Sequence, residues 1–139
     1  MRILVDEDIP FACETFADFP DVRAISGSHL SRSVIGDADV LVVRSITPVN
    51  SGLLDGTQVR FVGSATIGTD HIDIEYLRSK KIDFVSAPGS NSRAVAEYVL
   101  AALVHAAALT GRELESSSLG IVGAGHCGSH VAELAGVLG

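Results

Sequence analysis

The sequence predicts an α/β fold built on a parallel sheet, and three observations carry that expectation. Short apolar runs recur between segments with helical spacing, those runs end in polar or glycine-containing turns, and one of them leads straight into Gly-x-Gly-x-x-Gly. Residues 2–5, 40–43, 60–62 and 83–86, rich in Val, Ile, Leu or Phe, read as strands, and residues 21–25 as a weaker fifth that suits a sheet edge.

Between the strands, residues 10–19 and 73–80 carry helical spacing. A further helix is expected over residues 49–54, with Thr47 as its cap and Pro48 in its first turn. Strand, crossover and parallel strand connect right-handedly, so a flavodoxin-like or Rossmann-like sheet is the economical topology. After Pro88-Gly89-Ser90-Asn91 comes a long apolar helix over residues 93–109, whose alanines and branched residues predict burial on more than one face. A polar link, residues 110–118, leads to a new strand at 119–122, then to the glycine turn and a helix over 129–138.

Composition narrows the function. The 139 residues are 47% hydrophobic, ample for a core in one domain plus the beginning of another. A net charge of −7 leaves no basic stripe for nucleic acid or an anionic membrane, and favours a soluble, cytoplasmic, small-molecule protein. Cys13 and Cys127 lie far apart without Cys-x-x-Cys or Cys/His spacing, so neither a disulfide framework nor a zinc site is indicated. Asp6, Glu7 and Asp8 interrupt any signal peptide early. The longest apolar stretch, residues 94–109, contains Glu97, Tyr98 and His105; it is expected to be a buried helix too short to span a bilayer.

The glycine turn gains meaning from the strand before it and the helix after it. Gly123 allows a tight turn, Gly125 lets backbone approach a pyrophosphate, and Gly128 permits close helix packing. The phosphates would rest on helix-start amides around His126 and Cys127, side-chain spectators here. The carboxyl ends of parallel strands are where open α/β sheets hold ligands. There stand Arg44-Ser45-Ile46-Thr47 and Gly63-Ser64-Ala65-Thr66-Ile67-Gly68-Thr69-Asp70, whose hydroxyls and amides can converge on one anionic group or simply cap turns. Arg44 reads equally as a surface charge or an ion-pair partner. Asp6-Glu7-Asp8 is similar to the Mg²⁺ pocket of phospho-receiver domains, but Arg44 follows the middle strand and no phospho-accepting aspartate ends it, so these acids read as loop and helix-capping residues. His71 and His105 have no metal-ligand companions and read as packed or surface histidines.

Taken in order, Val43-Arg44-Ser45-Ile46-Thr47, the block from Phe61 to Asp73, Asn91 with Val95-Ala96-Glu97-Tyr98, and the glycine turn resemble the D-isomer-specific 2-hydroxy-acid dehydrogenases over essentially the whole chain. Asp70-His71, Ala65-Thr66 and the opening Ile3-Leu4-Val5-Asp6-Glu7-Asp8-Ile9-Pro10 look most like the erythronate-4-phosphate dehydrogenase branch; phosphoglycerate dehydrogenases usually carry Asp-Asn where Asp70-His71 stands. The resemblance implies oxidation of the 2-hydroxyl of 4-phospho-D-erythronate with NAD, in pyridoxal phosphate synthesis, by a homodimer. It implies substrate binding by Ser45 and Thr66, and dinucleotide binding by Gly123, Gly125, His126, Cys127 and Gly128. The family's catalytic arginine, glutamate and histidine, its ribose-binding acid and its dimerisation region are expected beyond Gly139, so no catalytic residue is assigned within this chain and the chain alone is expected to be inactive.

The domain expectation is a flavodoxin-like substrate domain over residues 1–92, followed from 93–139 by an interdomain helix and the start of a Rossmann dinucleotide-binding domain. The two lobes would enclose a cleft that excludes water. The alternatives are another D-2-hydroxy-acid dehydrogenase, such as one for phosphoglycerate, a non-catalytic dinucleotide-binding or interaction module, and a folded substrate lobe with a disordered tail.

Overall fold

The structure is a computed structural model, and residues 1–137 are described. It divides into two compact units, Met1–Pro88 and Gly89–Gly139. In the first, strands β1 (Arg2–Asp6), β2 (Asp21–Ile25), β3 (Val40–Val43), β4 (Phe61–Ser64) and β5 (Asp83–Ser86) form one sheet. Its order is β2-β1-β3-β4-β5, every pair parallel. This is the flavodoxin-like order, in which the chain reverses its direction of winding between β1 and β3. The weakest strand by sequence, β2, lies at the edge as expected.

Period-two alternation divides the side chains between the two faces of the sheet. Leu4, Leu41, Val43 and Val62 join Ile35, Leu54 and Leu77 in one cluster, which places α2 (Arg32–Ile35), α3 (Ser51–Leu54) and α4 (Ile74–Ser79) on that face. Ile3, Val5 and Val40 pack with Ala12 and Phe16 on the other, beside α1 (Ala12–Thr15). Both faces therefore carry packed apolar side chains, and β1, β3 and β4 read as apolar runs for that reason. At the amino ends of the strands, Arg2 donates its backbone N–H to Asp39 at 2.8 Å and the Arg60 guanidinium approaches the other carboxylate oxygen at 3.3 Å. The Arg2 hydrogen bond chiefly holds the Asp39 carboxyl below its ordinary range.

Several expected elements differ in detail. The cap of α3 is Asn50, whose side chain accepts from Leu53 N–H at 3.2 Å, and not Thr47. Thr47 is buried and turned inward, and Val49 instead forms a parallel bridge with Ile72. The acids 6–8 do not cap α1 either, since the residue preceding that helix is Phe11, in the left-handed region at φ 59°. A short 3₁₀ turn, Gly27–His29, precedes α2.

In the second unit, α5 (Ser92–Thr110) packs on α6 (His126–Ala135). At 19 residues, α5 is long and apolar enough, by length and composition, to cross a membrane, which corrects the expectation that it is too short. It is also not buried on several faces: only Ser92 and Ala96 are buried, while Tyr98 and Leu109 are about three-quarters exposed. Within its unit, α6 is the one other helix among the described residues, so most of its circumference has no covering partner. Residues 119–122 form no strand, because no strand of that unit is described for them to pair with. Leu138, the expected end of the last helix, lies outside the described residues.

Leu41 is fully buried at the centre of the larger cluster. Leu41→Ala should destabilise the first unit by about 3 kcal/mol, the usual figure for an unrelaxed leucine cavity, read as a lower urea midpoint at unchanged slope.

Candidate functional site

The carboxyl ends of β1, β2, β3 and β4 deliver four loops to one rim of the sheet. At its centre, where the winding reverses, Asp6 closes β1 with no exposed surface. Its Oδ2 accepts from Arg44 Nε at 3.0 Å, and its Oδ1 accepts from the Asp8 backbone N–H at 3.1 Å. Arg44 stands immediately after β3 and also donates through a terminal nitrogen to Asp8 Oδ2 at 2.5 Å. The hydrogen bond to Asp6 is the main cause that raises the arginine pKa above its ordinary value, with partial desolvation opposing. Arg44 is thus the ion-pair partner that the sequence left as one option. The carboxylate pair that is similar to a receiver's metal pocket is filled by its guanidinium.

The loop after β2 closes over this pair. A Cβ on Gly27 would stand 2.5 Å from Asp6 Oδ2 and 2.8 Å from Thr47 Oγ1, so the backbone approach admits only glycine. Thr47, 2% exposed, donates its hydroxyl to the Gly27 carbonyl at 3.3 Å. Sequence reasoning missed Gly27 because its signal is a steric one, between residues twenty apart.

Ser45 and Thr66 each lie two residues beyond the last registered pair of β3 and β4, Val43 and Ser64. The pairing continues one step past the strands, with Ala65 N–H donating to the Val43 carbonyl at 2.9 Å. Both hydroxyls are therefore delivered to the same edge of adjacent strands. Ser45 is exposed, while Thr66 is half-buried. Ser64, 4% exposed, shares hydrogen bonds with Thr66 Oγ1 at 2.9 Å and His71 Nε2 at 3.2 Å. The His71 backbone is anchored in turn, its carbonyl accepting from Val49 N–H at 2.7 Å. Ser64 was read from the sequence only as one of a run of hydroxyls, and His71 as a packed or surface histidine; their pairing was not foreseen. Their seven-residue spacing across a turn has no periodic signature.

The glycine turn lies in the second unit. Gly123 has φ +95°, which only glycine adopts without strain, and a Cβ on Gly128 would collide with the Gly123 carbonyl. A Cβ on Gly125 would meet nothing within 4 Å. Gly125 precedes α6, and the helical ladder opens with Ser129 N–H donating to the Gly125 carbonyl at 2.9 Å. The amides of His126, Cys127 and Gly128 therefore have no intrahelical acceptor, and the turn is shaped to receive an anion. His126 lies against Gly89, whose hypothetical Cβ would be 3.1 Å from the imidazole ring. The residues present thus fit a dinucleotide pyrophosphate by open space at Gly125 and free donors beside it.

A model of the D-isomer-specific 2-hydroxyacid dehydrogenase catalytic domain matches residues 4–133. The chain belongs to the D-2-hydroxy-acid dehydrogenase family. Among its relatives, the erythronate-4-phosphate dehydrogenase of Salinibacter ruber is 50% identical over all of this chain and 36% of its own length. That of Azotobacter vinelandii is 48% identical over all of this chain and 37% of its length. The chain therefore spans little more than a third of the length of these relatives. Among solved structures, NAD⁺-bound 3-phosphoglycerate dehydrogenase of Entamoeba histolytica is 29% identical with a TM-score of 0.77, over 100% of this chain and 51% of that one. D-lactate dehydrogenase of Aquifex aeolicus, complexed with NAD and lactic acid, shares the fold at 22% identity and a TM-score of 0.72, over 99% of this chain and 49% of that one.

Gly27→Ala should drive its methyl into Asp6 and Thr47 and lower the thermal midpoint by several degrees. Asp6→Ala removes the buried half of the ion pair; with Asp8 still beside Arg44, a loss of about 2–3 kcal/mol is expected by denaturant unfolding. Asp8→Ala, at the exposed end, should cost under about 1 kcal/mol.

Proposed function

We propose that the chain is part of an NAD-dependent dehydrogenase that oxidises the 2-hydroxyl of 4-phospho-D-erythronate on the route to pyridoxal 5'-phosphate, vitamin B6. The observation that carries this reading is the 50% identity to an erythronate-4-phosphate dehydrogenase over every residue of the chain. The geometry supports it with a hydroxyl-bearing rim and a turn fitted to a pyrophosphate. A related dehydrogenase for phosphoglycerate is the second reading, favoured less by the 29% identity to that enzyme.

On this reading residues 1–92 hold substrate and residues 93–139 begin the cofactor domain. Ser45 and Thr66 hydrogen-bond the phosphorylated acid at the carboxyl rim. The Asp6–Arg44 pair is already neutralised internally, so it shapes the loop that carries Ser45 and does not itself supply the charge that holds phosphate. The amides of His126, Cys127 and Gly128 receive the pyrophosphate, where Gly125 gives it room. NAD, when bound, supplies the hydride acceptor. A general base for the hydroxyl proton and an arginine for the substrate carboxylate are expected outside residues 1–139, as in the family. The whole enzyme is a cytoplasmic homodimer that works in solution, with small molecules as its ligands and neither nucleic acid nor membrane as partner.

Purified chain with 4-phospho-D-erythronate and NAD should give no NADH above background; turnover at ordinary dehydrogenase rates, roughly 1–1000 per second, would refute the assignment of the chemistry to residues outside it. Millimolar NAD should shift the amide resonances of His126, Cys127 and Gly128. Gly125→Ala, for which the fold has room, should abolish those shifts while leaving the rest of the spectrum unchanged. Equal shifts in that variant would remove the turn from the cofactor site.

A further inference from the structure

The hydroxyl of Ser64 has one proton to donate and two lone pairs to accept with. Three groups reach it: Thr66 N–H at 3.4 Å, Thr66 Oγ1 at 2.9 Å and His71 Nε2 at 3.2 Å. The amide can only donate, so it takes one lone pair. What remains is one proton and one lone pair for two partners, Thr66 Oγ1 and His71 Nε2, and their roles must be opposite. If Nε2 accepts, Ser64 spends its proton on the imidazole, and the Thr66 hydroxyl must donate back to Ser64. If Nε2 carries a proton, Ser64 accepts from it and donates to Thr66 Oγ1, and the Thr66 proton is released.

We propose that His71 is a positioning residue which, through the Ser64 hydroxyl, sets whether Thr66 offers the rim a hydrogen-bond donor or only an acceptor. With Nε2 bare, Thr66 presents lone pairs, suited to a ligand hydroxyl. With Nε2 protonated, it presents its proton, suited to a carboxylate or phosphate oxygen. This deepens the reading of Thr66 as a substrate residue and rests on that reading for its ligand; the hydrogen-bond relay itself does not.

The frame around the relay is fixed. Ser64 is buried at the end of β4, and the His71 backbone is bound to Val49. Burial pushes the His71 pKa below its ordinary value, and the charge that acts on the ring in the opposite direction is Asp70, on the same loop. Among the described residues no arginine, lysine or second carboxylate, from β3, α4 or the loop after β3, contributes to its titration. The ring is therefore neutral near pH 7, where the relay has Nε2 bare and accepting from Ser64, and acid drives it into the donor state.

The test is a pH titration of the whole ¹⁵N-labelled chain from about pH 8 to about pH 5, across the histidine range, following the His71 ring nitrogens and the Thr66 amide together. The Thr66 amide should move with the midpoint of the His71 ring, below the ordinary histidine value of roughly 6.5. In Ser64→Ala the ring should still titrate while Thr66 no longer follows. In His71→Gln, whose carboxamide reaches the Nε2 position without a titratable charge, Thr66 should stay fixed throughout. A Thr66 amide that ignores His71 in the wild-type chain, or follows it equally in Ser64→Ala, would overturn the relay; the wild-type result alone suffices if the variant does not fold. Adding 4-phospho-D-erythronate separates the two readings. Binding that tightens in acid at least threefold more in the wild type than in His71→Gln supports the relay's action on ligand, and equal pH dependence overturns it. No binding at any pH, with the Thr66 titration intact, supports the relay and refutes the substrate assignment.

Discussion

The ion pair between Asp6 and Arg44 is the constraint on which the rim of the sheet depends. A carboxylate with no exposed surface is costly unless its charge is matched, and Arg44 Nε at 3.0 Å matches it from the neighbouring strand. Because β1 and β3 flank the point at which the winding reverses, the pair joins the two loops that diverge there. Gly27 and Thr47 then close around it, which brings the loop after β2 into the same structure. One buried charge and one side-chain hydroxyl thus tie three connections together.

On the proposed function, this arrangement divides labour between residues that build the rim and residues that face a ligand. Arg44, the obvious cation for an anionic substrate, has its charge engaged by two carboxylates. Ser45 and Thr66 stand beyond the strand ends, and the Thr66 hydroxyl is hydrogen-bonded to Ser64, which also bonds His71. An anion bound there would rely on hydroxyls and backbone amides more than on net charge, consistent with a protein whose formal charge is −7. In the second unit, main-chain donors at the start of α6 would have the same role at the glycine turn on the proposed function.

Much of the fold was legible because it rests on local patterns. Short apolar runs located four of the five strands, the weaker Asp21–Ile25 was assigned to the edge where it lies, and the expected strand at 119–122 did not form. The glycine turn was legible because its motif has a local mechanism: the positive φ of Gly123 and the close contact at Gly128 follow from adjacent residues. It was not legible where the interaction is long-range. Asp6 looked like a loop or capping acid, since its partner stands thirty-eight residues away; Thr47 looked like a cap, since nothing nearby reveals that Gly27 leaves room for it to turn inward. The apolar composition of α5 suggested burial, yet composition specifies only what a helix can bury, not whether a partner is there to cover it.

The account is tested most directly by mapping where 4-phospho-D-erythronate binds to the labelled protein through its amide resonances. The largest shifts should fall on Ser45, Thr66 and the residues between Asp6 and Asp8. The opposite end of the sheet also carries cations, Arg60 and Lys81, beside an apolar groove, together with Asp83 and with Asp39, which pairs with Arg60. Shifts concentrated there, with the Asp6–Arg44 rim unchanged, would contradict the account.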